Sequence, residues 1–293
     1  MSPRPPIASP VLVLGAASLI GRFLLPRVVG MGAETFALSR KPPRATGDAV
    51  RWVQADLEAS GLQAVLPACA TVISLSPIWL LPAALPAMKS AGMQRVVAFS
   101  STSVFTKAAS DDAYERGVAE RLAAGEAEVA AFCAREGVDW TILRPTLIYA
   151  EGQDQNVTRL ARLIRRMGVL PLMGKGDGLR QPVHADDLAT GALEAAMRPR
   201  ARGRAYDLPG GETLTYRAMA ERVFAGMGRR PRILTAPQWL WALGFTLAKP
   251  FLKGATAQMG KRMSADLVFD AEPARADLDW RPRPFRPDFT ELR

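Results

Sequence analysis

The sequence predicts an α/β protein whose N-terminal half is a Rossmann-type, doubly wound parallel sheet, followed by a smaller C-terminal substrate lobe. In that half, short apolar runs alternate with helical stretches, the pattern of successive βαβ units. A glycine-bearing turn joins the first apolar run to the first helical stretch, where such folds bind a dinucleotide. With 293 residues, 48% of them hydrophobic and 23% charged, the chain can bury a large core.

The periodicity of the apolar residues predicts the individual elements. The strands are Pro10–Leu14, Glu34–Ser39, Val50–Gln54, Thr71–Ser76, Arg95–Ser100 and Trp140–Arg144. The helices are Leu19–Met31, Leu62–Leu66, Leu80–Ala91, Val118–Glu136, Asn156–Met167, Ala185–Met197 and Tyr216–Met227. Residues 1–150 are therefore expected to form a dinucleotide-binding domain to which 183–205 return, and 151–182 with 206–293 a smaller substrate-binding lobe.

The charge and the rare residue types limit the partners. A formal net charge of +10 favours an anionic partner such as a phosphorylated cofactor, a nucleotide sugar or anionic lipid. The basic residues form no nucleic-acid-binding motif, so no nucleic acid is expected. Cys69 and Cys133 lie far apart in apolar contexts, as buried free thiols of a reducing compartment do. One histidine, His184, and no Cys/His spacing predict no metal site.

Two uncharged segments raise the question of membrane contact. Thr71–Met88 contains three prolines, which favour a strand, a loop and a helix start over a spanning helix. Ile233–Ala248 contains Trp239, Trp241 and Phe245 and is followed by lysines. It predicts either an interfacial segment on anionic lipid or a helix that caps the smaller lobe. The N-terminus has no apolar signal-peptide core, so the predicted location is cytoplasmic, with a peripheral position at the inner face of the membrane as the alternative.

The segment from Val11 to Gly21 has the pattern of a loop that binds a pyrophosphate, called the glycine cradle below. Gly15 permits a tight turn, small residues then let the backbone approach a ligand, and Gly21 lets the helix pack closely on the strand. The predicted cofactor contacts in this loop are Gly15, Ala17, Ser18, Leu19, Ile20 and Gly21.

Residues at the ends of the second and third strands are further candidates for cofactor contacts. Arg40 lies 25 residues after Gly15, where NAD-preferring folds offer an acidic residue to the ribose. A guanidinium there can pair with a 2′-phosphate, so NADP(H) is favoured over NAD(H); the alternative is a solvated charge. Asp56, which precedes Leu57, could accept a hydrogen bond from adenine or cap a turn.

Together these features resemble the NAD-dependent epimerase/dehydratase family of the extended and atypical short-chain dehydrogenase/reductases. Beyond the glycine loop, the resemblance rests on Ala55 to Leu57 (ADL), Phe99 to Phe105 (FSSTSVF), Leu143 to Tyr149 (LRPTLIY), Gly178 to Ala189 (GLRQPVHADDLA) and Ala274 to Trp280 (ARADLDW). It implies an NAD(P)-dependent oxidoreductase or epimerase/dehydratase that acts on a nucleotide sugar or a related carbonyl or hydroxyl compound. It also implies a homodimer paired through long helices.

The resemblance assigns roles to residues in the loops. Ser74 and Ser76 would lie along the nicotinamide ribose, and Pro145 would begin the segment under the nicotinamide. Ser101 or Thr102 would hydrogen-bond the reacting hydroxyl of the substrate.

Two further residues fall in the GLRQPVHADDLA segment. Arg180 would clamp the substrate diphosphate, with an ordinary surface ion pair as the alternative. His184 opens a helix there, which favours packing and capping over catalysis.

The sequence departs from the family at its acid/base pair. The family uses Tyr-x-x-x-Lys on the helix after the fifth strand, but Tyr114 is followed four residues later by Val118. Tyr114 could still reach the site from a loop, with Arg121 as its electrostatic partner. The catalytic candidates are therefore Thr102, Ser101 and Tyr114. The missing pair leaves open a non-catalytic NADP(H)-binding protein, such as a redox sensor or an accessory subunit.

Overall fold

A computed structural model describes residues 6–41, 49–236 and 264–292. The chain divides into two compact units. The larger comprises Met1–Thr146, Ala185–Leu208 and Asp270–Arg281, and the smaller comprises Leu147–His184, Pro209–Phe269 and Pro282–Arg293.

The larger unit is built on a parallel sheet, and seven of its strands lie in the described ranges. They are β1 (Val11–Leu14), β2 (Thr35–Ser39), β3 (Arg51–Gln54), β4 (Thr71–Ser74), β5 (Arg95–Phe99), β6 (Asp139–Pro145) and β11 (Arg204–Leu208). The strand order is β11-β6-β5-β4-β1-β2-β3. It reverses direction between β1 and β4, and α/β sheets bind ligands beyond the carboxyl ends of their strands at such a reversal.

Helices cover both faces of this sheet. They are α1 (Leu19–Gly30), α2 (Leu62–Val65), α3 (Leu81–Ser90), α4 (Ser103–Thr106), α5 (Ala113–Glu136), α7 (Ala185–Met197) and α9 (Glu272–Leu278). Leu12 and Leu14 of β1 share one core cluster with buried residues of α3 and α5. Because side chains alternate along a strand, Val11 and Val13 point to the opposite face, where α1 and α7 pack against each other.

The smaller unit combines short strand pairs with two helices. Its strands are β7 (Ile148–Tyr149), β8 (Leu170–Met173), β9 (Leu179–Arg180), β10 (Val183–His184), β12 (Leu214–Thr215) and β13 (Ile233–Ala236), and its helices are α6 (Val157–Met167) and α8 (Tyr216–Gly226). The pairs are β7 with β10, β8 with β13 and β9 with β12. Phe224 and Phe285 are fully buried in the core of this unit.

The predicted Rossmann-type parallel sheet is confirmed. Strands β1 to β6 lie within two residues of their predicted bounds, whereas β11 was not predicted. Thr71–Met88 contains β4, a 3-10 turn and most of α3, as predicted. Among the described residues, no helix has the length and apolarity needed to cross a bilayer. Trp239, Trp241 and Phe245 lie outside the described residues.

Two boundaries differ from the expectation. The long helix α5 begins at Ala113, five residues early, because the Asp112 side chain accepts hydrogen bonds from the first N–H groups of the helix. Residues 206–208 and 270–281 belong to the larger unit, although 206–293 were predicted to lie in the smaller lobe. Trp280 explains the second difference, since its ring packs so closely on Gly191 of α7 that a Cβ there would lie 2.8 Å away.

Candidate functional site

The turn after β1 requires glycine at its first position. Gly15 has φ +63°, in the left-handed region that side chains with a Cβ rarely adopt. A Cβ on Gly15 would lie 2.8 Å from Ser76 Oγ and 3.0 Å from Ser76 N. The loops after β1 and β4 therefore approach each other as closely as their backbones allow, at the point where the strand order reverses.

The N-terminus of α1 lies directly on this turn. A Cβ on Gly21 would lie 2.0 Å from the carbonyl oxygen of Ala16, which is backbone and cannot rotate away. Ser18 caps the helix, because its Oγ accepts a hydrogen bond of 3.3 Å from Gly21 N. Leu19 and Ile20 are the first two residues of α1, so their N–H groups have no acceptor within the helix.

This geometry fits a dinucleotide pyrophosphate. N–H groups and the positive end of the helix dipole favour an anion at an α-helix N-terminus. The first turn of α1 contains no acidic residue, and Ala17 beside it is exposed. The glycine loop would therefore hold the cofactor phosphates through backbone groups.

The predicted ribose and adenine residues follow β2 and β3. Arg40 is exposed directly after β2. Asp56 Oδ1 accepts a hydrogen bond from Glu58 N at 3.2 Å, so Asp56 caps a turn, and Leu57 is buried. The NADP(H) and adenine contacts of Arg40 and Asp56 remain predictions.

Residues at the ends of β4, β5 and β6 differ in how accessible they are. Ser74 is fully buried within β4, whereas Ser76 lies beside Gly15. Thr102 is 6% exposed, and its hydroxyl donates to the Pro145 carbonyl at 3.2 Å. Ser101 is half-buried, and its Oγ accepts a hydrogen bond from Ser103 N. Of the two predicted hydroxyls, that of Ser101 is therefore the more accessible.

Tyr114 does not lie in a loop, as the sequence analysis expected, but in the first turn of α5, and it is 75% exposed. Arg121, its expected partner, instead stacks over the ring of Trp79 at 4.7 Å. Ser100 contacts Glu126, which lies twelve residues further along the helix. At 1.5 Å per residue, Tyr114 is about 18 Å from that contact along the axis, beyond the reach of its side chain.

A polar cluster that was not predicted from the sequence lies at the carboxyl ends of β5 and β6, with Glu126 buried and Ser100 and Arg144 half-buried. Ser100 Oγ donates to Glu126 Oε1 at 2.5 Å. Arg144 Nε and Nη2 donate to the same carboxylate at 2.9 and 2.5 Å. These bonds to Glu126 raise the pKa of Arg144 against the opposing effect of burial, so the guanidinium stays charged. Ser100, Glu126 and Arg144 are called the Ser–Glu–Arg cluster below.

Two residues support Arg144 from other directions. Asp207 pairs with Arg144 in the β6–β11 register, and its Oδ1 lies 3.7 Å from Arg144 Nη1. Burial raises the pKa of Asp207, Arg144 lowers it, and the Glu126 carboxylate raises it again, with a net increase. The ring of Phe105 lies under the guanidinium, with 5.0 Å between its centroid and Arg144 Cζ. The position of Arg144 is thus fixed by carboxylates and a ring.

The helical spacing of the buried residues along α5 could have predicted that Glu126 is buried. The apolar residues Leu122, Val129 and Cys133 are buried in α5, and Glu126 falls between them at helical spacing. A carboxylate within such a stripe is almost never fully buried unless it is paired. The partners, Ser100 and Arg144, come from strands far apart in the sequence, so the pairing itself was not visible.

Arg180 lies in the smaller unit and is 6% exposed, so it is not the surface ion pair offered as an alternative. Its Nη1 donates to the carbonyl of Ala265 at 2.7 Å, and its guanidinium lies 5.7 Å from the Tyr216 ring centroid. Burial lowers its pKa, against the effect of Tyr216 and Asp266. Binding of a substrate diphosphate by Arg180 remains a prediction.

His184 is buried in the same unit and packs edge-on against Tyr149, with ring centroids 5.0 Å apart. Its Nε2 lies 3.1 Å from Glu151 Oε2. Burial acts to raise the pKa of Glu151, but the hydrogen bond to His184 and a backbone hydrogen bond lower it below its ordinary value. These contacts agree with a packing role for His184.

Residues 83–208, which include the Ser–Glu–Arg cluster, match the model of the NAD-dependent epimerase/dehydratase family. Among curated relatives, the 2-alkyl-3-oxoalkanoate reductase of Stenotrophomonas maltophilia is 30% identical over 157 residues, 48% of this chain and 46% of the relative. The chain spans about half the length of the curated relatives it matches.

Solved structures resemble this chain over nearly its whole length. Epimerase Mth375 of Methanothermobacter thermautotrophicus has a TM-score of 0.74 and 16% identity, and 96% of this chain and 90% of that chain are covered. UDP-glucuronic acid 4-epimerase of Bacillus cereus, in complex with UDP-glucuronic acid and NAD, has a TM-score of 0.73 and 16% identity, with 96% of both chains covered. At these identities the likeness establishes the Rossmann-type fold alone.

Proposed function

We propose that this protein is an NAD(P)-dependent oxidoreductase or epimerase/dehydratase that acts on a hydroxyl or carbonyl group of a nucleotide sugar or a related small molecule. The observation that carries the proposal is the glycine cradle, in which Gly15 and Gly21 bring the β4 loop and the α1 N-terminus against one turn. One curated relative is named as a reductase, and one similar solved structure is an epimerase that contains NAD. Both support nicotinamide-dependent chemistry.

NADP(H) is our preferred cofactor. β2 ends at Ser39 and is followed by Arg40 and Lys41, without the acidic residue that would bind a free ribose 2′-hydroxyl. Arg40 is exposed and can form two parallel hydrogen bonds to a 2′-phosphate. The similar epimerase binds NAD, so the preference depends on this chain's own residues.

The cofactor preference is tested by calorimetric titration of the wild-type protein and Arg40→Ala with NADPH and NADH. The expected result is a loss of NADPH affinity of about tenfold or more in Arg40→Ala, with NADH affinity unchanged, because NADH has no 2′-phosphate. Equal losses of affinity for NADPH and NADH would show that Arg40 does not bind the 2′-phosphate. Arg51→Ala is a matched control, since Arg51 is an exposed arginine of β3 paired with Glu34.

The activity is tested with substrates of the two classes that the similar proteins name. UDP-glucose and UDP-glucuronic acid are incubated with NAD⁺ or NADP⁺, and a 2-alkyl-3-oxoalkanoate with NADPH or NADH. Nicotinamide absorbance and chromatography of the products report oxidation, reduction and epimerisation. Turnover of at least one substrate would support the proposed enzymatic activity.

A second candidate is a cofactor-binding protein without chemistry, acting as a redox sensor or an accessory subunit. The exposed Tyr114 and the Thr102 hydroxyl bonded to the backbone favour this candidate, because neither is arranged for proton transfer. Tight cofactor binding without turnover of any substrate would support it.

Two proposals concern partners. An interfacial segment around Trp239, Trp241 and Phe245 would place the protein at an anionic membrane, and the exposed Arg162, Arg165 and Arg166 of α6 add positive charge in the same unit. Co-sedimentation with anionic vesicles tests this contact, and the absence of binding would contradict it.

We also propose that the protein is a homodimer. Light scattering at micromolar concentration tests this, and a measured mass equal to the monomer mass of 31.7 kDa would contradict it.

A further inference from the structure

The Ser–Glu–Arg cluster contains the groups that a proton transfer needs. Ser100 directly follows β5, and Glu126 projects from α5 to meet it. The described strands of the sheet are parallel, so the loop after β5 lies at the same sheet edge as the glycine turn after β1. The cluster is thus at the edge where the proposed cofactor would bind.

The directions of the hydrogen bonds give Ser100 a defined role. Because its hydrogen is donated to Glu126 Oε1, the lone pairs of Ser100 Oγ can accept a hydrogen bond from a further hydroxyl. Ser100 is only half-buried, so a ligand hydroxyl can approach it.

Glu126 is the hydrogen-bond acceptor for the Ser100 hydroxyl. Its carboxylate is fixed by two nitrogens of Arg144, while Phe105 and Asp207 hold that guanidinium in place. The side chain of Glu126 is 10% exposed, which restricts direct contact between bulk water and the carboxylate. Ser100 is therefore the group that connects Glu126 to a ligand.

We propose that Ser100 and Glu126 form a proton relay that replaces the missing Tyr-x-x-x-Lys pair, with Arg144 as the residue that positions Glu126. The proposal rests on the proposed oxidoreductase function. In the oxidation of a secondary alcohol, a bound oxidised nicotinamide would supply the acceptor for the C–H hydride. The hydroxyl proton passes to Ser100 Oγ, and the original Ser100 proton passes to Glu126 Oε1. The products are a ketone, reduced nicotinamide, an intact Ser100 hydroxyl and a protonated Glu126, and the reverse sequence reduces a ketone.

Three substitutions test the relay. Ser100→Ala removes the connecting hydroxyl and leaves the Glu126–Arg144 pair in place. Glu126→Gln removes the proton acceptor and keeps an oxygen for Arg144. Glu128→Gln is the control, because Glu128 is exposed on the same helix two residues away. Thermal unfolding first establishes that each variant is folded, and Ser100→Ala keeps the test decisive if Glu126→Gln does not fold.

The kinetic readout uses whichever of the UDP-sugars or the 2-alkyl-3-oxoalkanoate the wild-type protein converts. Ser100→Ala and Glu126→Gln should each lower kcat by about 10²–10⁴-fold, with cofactor affinity unchanged and Glu128→Gln like the wild type. The double variant should fall no further than the single ones, because the two groups act in series. Wild-type-like kcat in both single variants, or additive losses, would overturn the relay and leave the oxidoreductase function standing.

A second readout requires no turnover. In protein labelled with ¹³C at glutamate carboxyls, the Glu126 signal is assigned by its loss in Glu126→Gln. The relay predicts that this signal shifts in Ser100→Ala, which removes the hydrogen bond to Glu126 Oε1, but not in Glu128→Gln. A Glu126 signal that is unchanged in Ser100→Ala would overturn the relay even in a protein that binds the cofactor. If the wild-type protein converts none of the substrates, the oxidoreductase function fails and the relay with it.

Discussion

Replacing Gly21 by alanine tests how closely α1 approaches the glycine turn. The new Cβ would lie 2.0 Å from the Ala16 carbonyl oxygen, whereas close C···O contacts in proteins are about 3.3–3.6 Å. The turn and the helix must therefore separate by about 1.3 Å. Overpacking of this kind costs roughly 1–3 kcal/mol, which lowers the melting temperature of the cofactor-free protein by roughly 2–10 °C.

The same displacement should weaken cofactor binding, because the N–H groups of the turn no longer converge on one phosphate. We expect the Kd for NADPH to rise by at least about tenfold, equivalent to 1.4 kcal/mol. Calorimetric titration and thermal unfolding measure the two effects on the same samples.

Gly30→Ala is the matched control. Gly30 ends the same helix, and a Cβ there would meet no atom within 4 Å. Its melting temperature should stay the same or rise, because alanine is the better helix former by up to about 1 kcal/mol. Wild-type stability and affinity in Gly21→Ala would refute the close approach of α1 to the turn.

Three further predictions follow from burial and charge. Burial raises the pKa of the Cys69 and Cys133 thiols to about 11, so neither should react with a thiol reagent at pH 8 until the protein unfolds, and native stability should fall as the pH rises from about 9 towards 11. Glu151→Gln should lower the melting temperature at pH 7, and this loss should become smaller as the pH falls below about 4.3, because a carboxyl whose pKa is depressed in the folded state contributes stability that is lost as the pH falls through the folded pKa. Tyr114→Phe should leave stability within about 0.5 kcal/mol of the wild type and turnover unchanged; a large loss of turnover would return Tyr114 to the candidate acid/base groups.

Local patterns predicted the fold and the glycine cradle. The β1–turn–α1 unit is contiguous in the sequence. The close packing of this turn requires glycine at positions 15 and 21, and both glycines can be read from the sequence. The strands were predictable for the same reason, since each is a short apolar run bounded by turn residues.

Contacts between distant segments were not predictable. Glu126 meets Ser100 and Arg144 only after β5, α5 and β6 have packed, and a single sequence contains no record of those partners. α9 was assigned to the wrong unit because its interactions with the larger unit depend on Trp280 fitting against Gly191. Tyr114 was kept as a catalytic candidate because the start of α5 was placed too late along the chain.

The proposed function requires a nicotinamide dinucleotide to bind at the edge of the sheet beside Gly15 and Gly21. Calorimetric titration of the wild-type protein with NADPH and NADH measures this binding. We expect saturable binding of one dinucleotide per chain, tighter for NADPH than for NADH, and weaker binding by Gly21→Ala. If neither cofactor bound to the folded wild-type protein, the proposed site would be wrong.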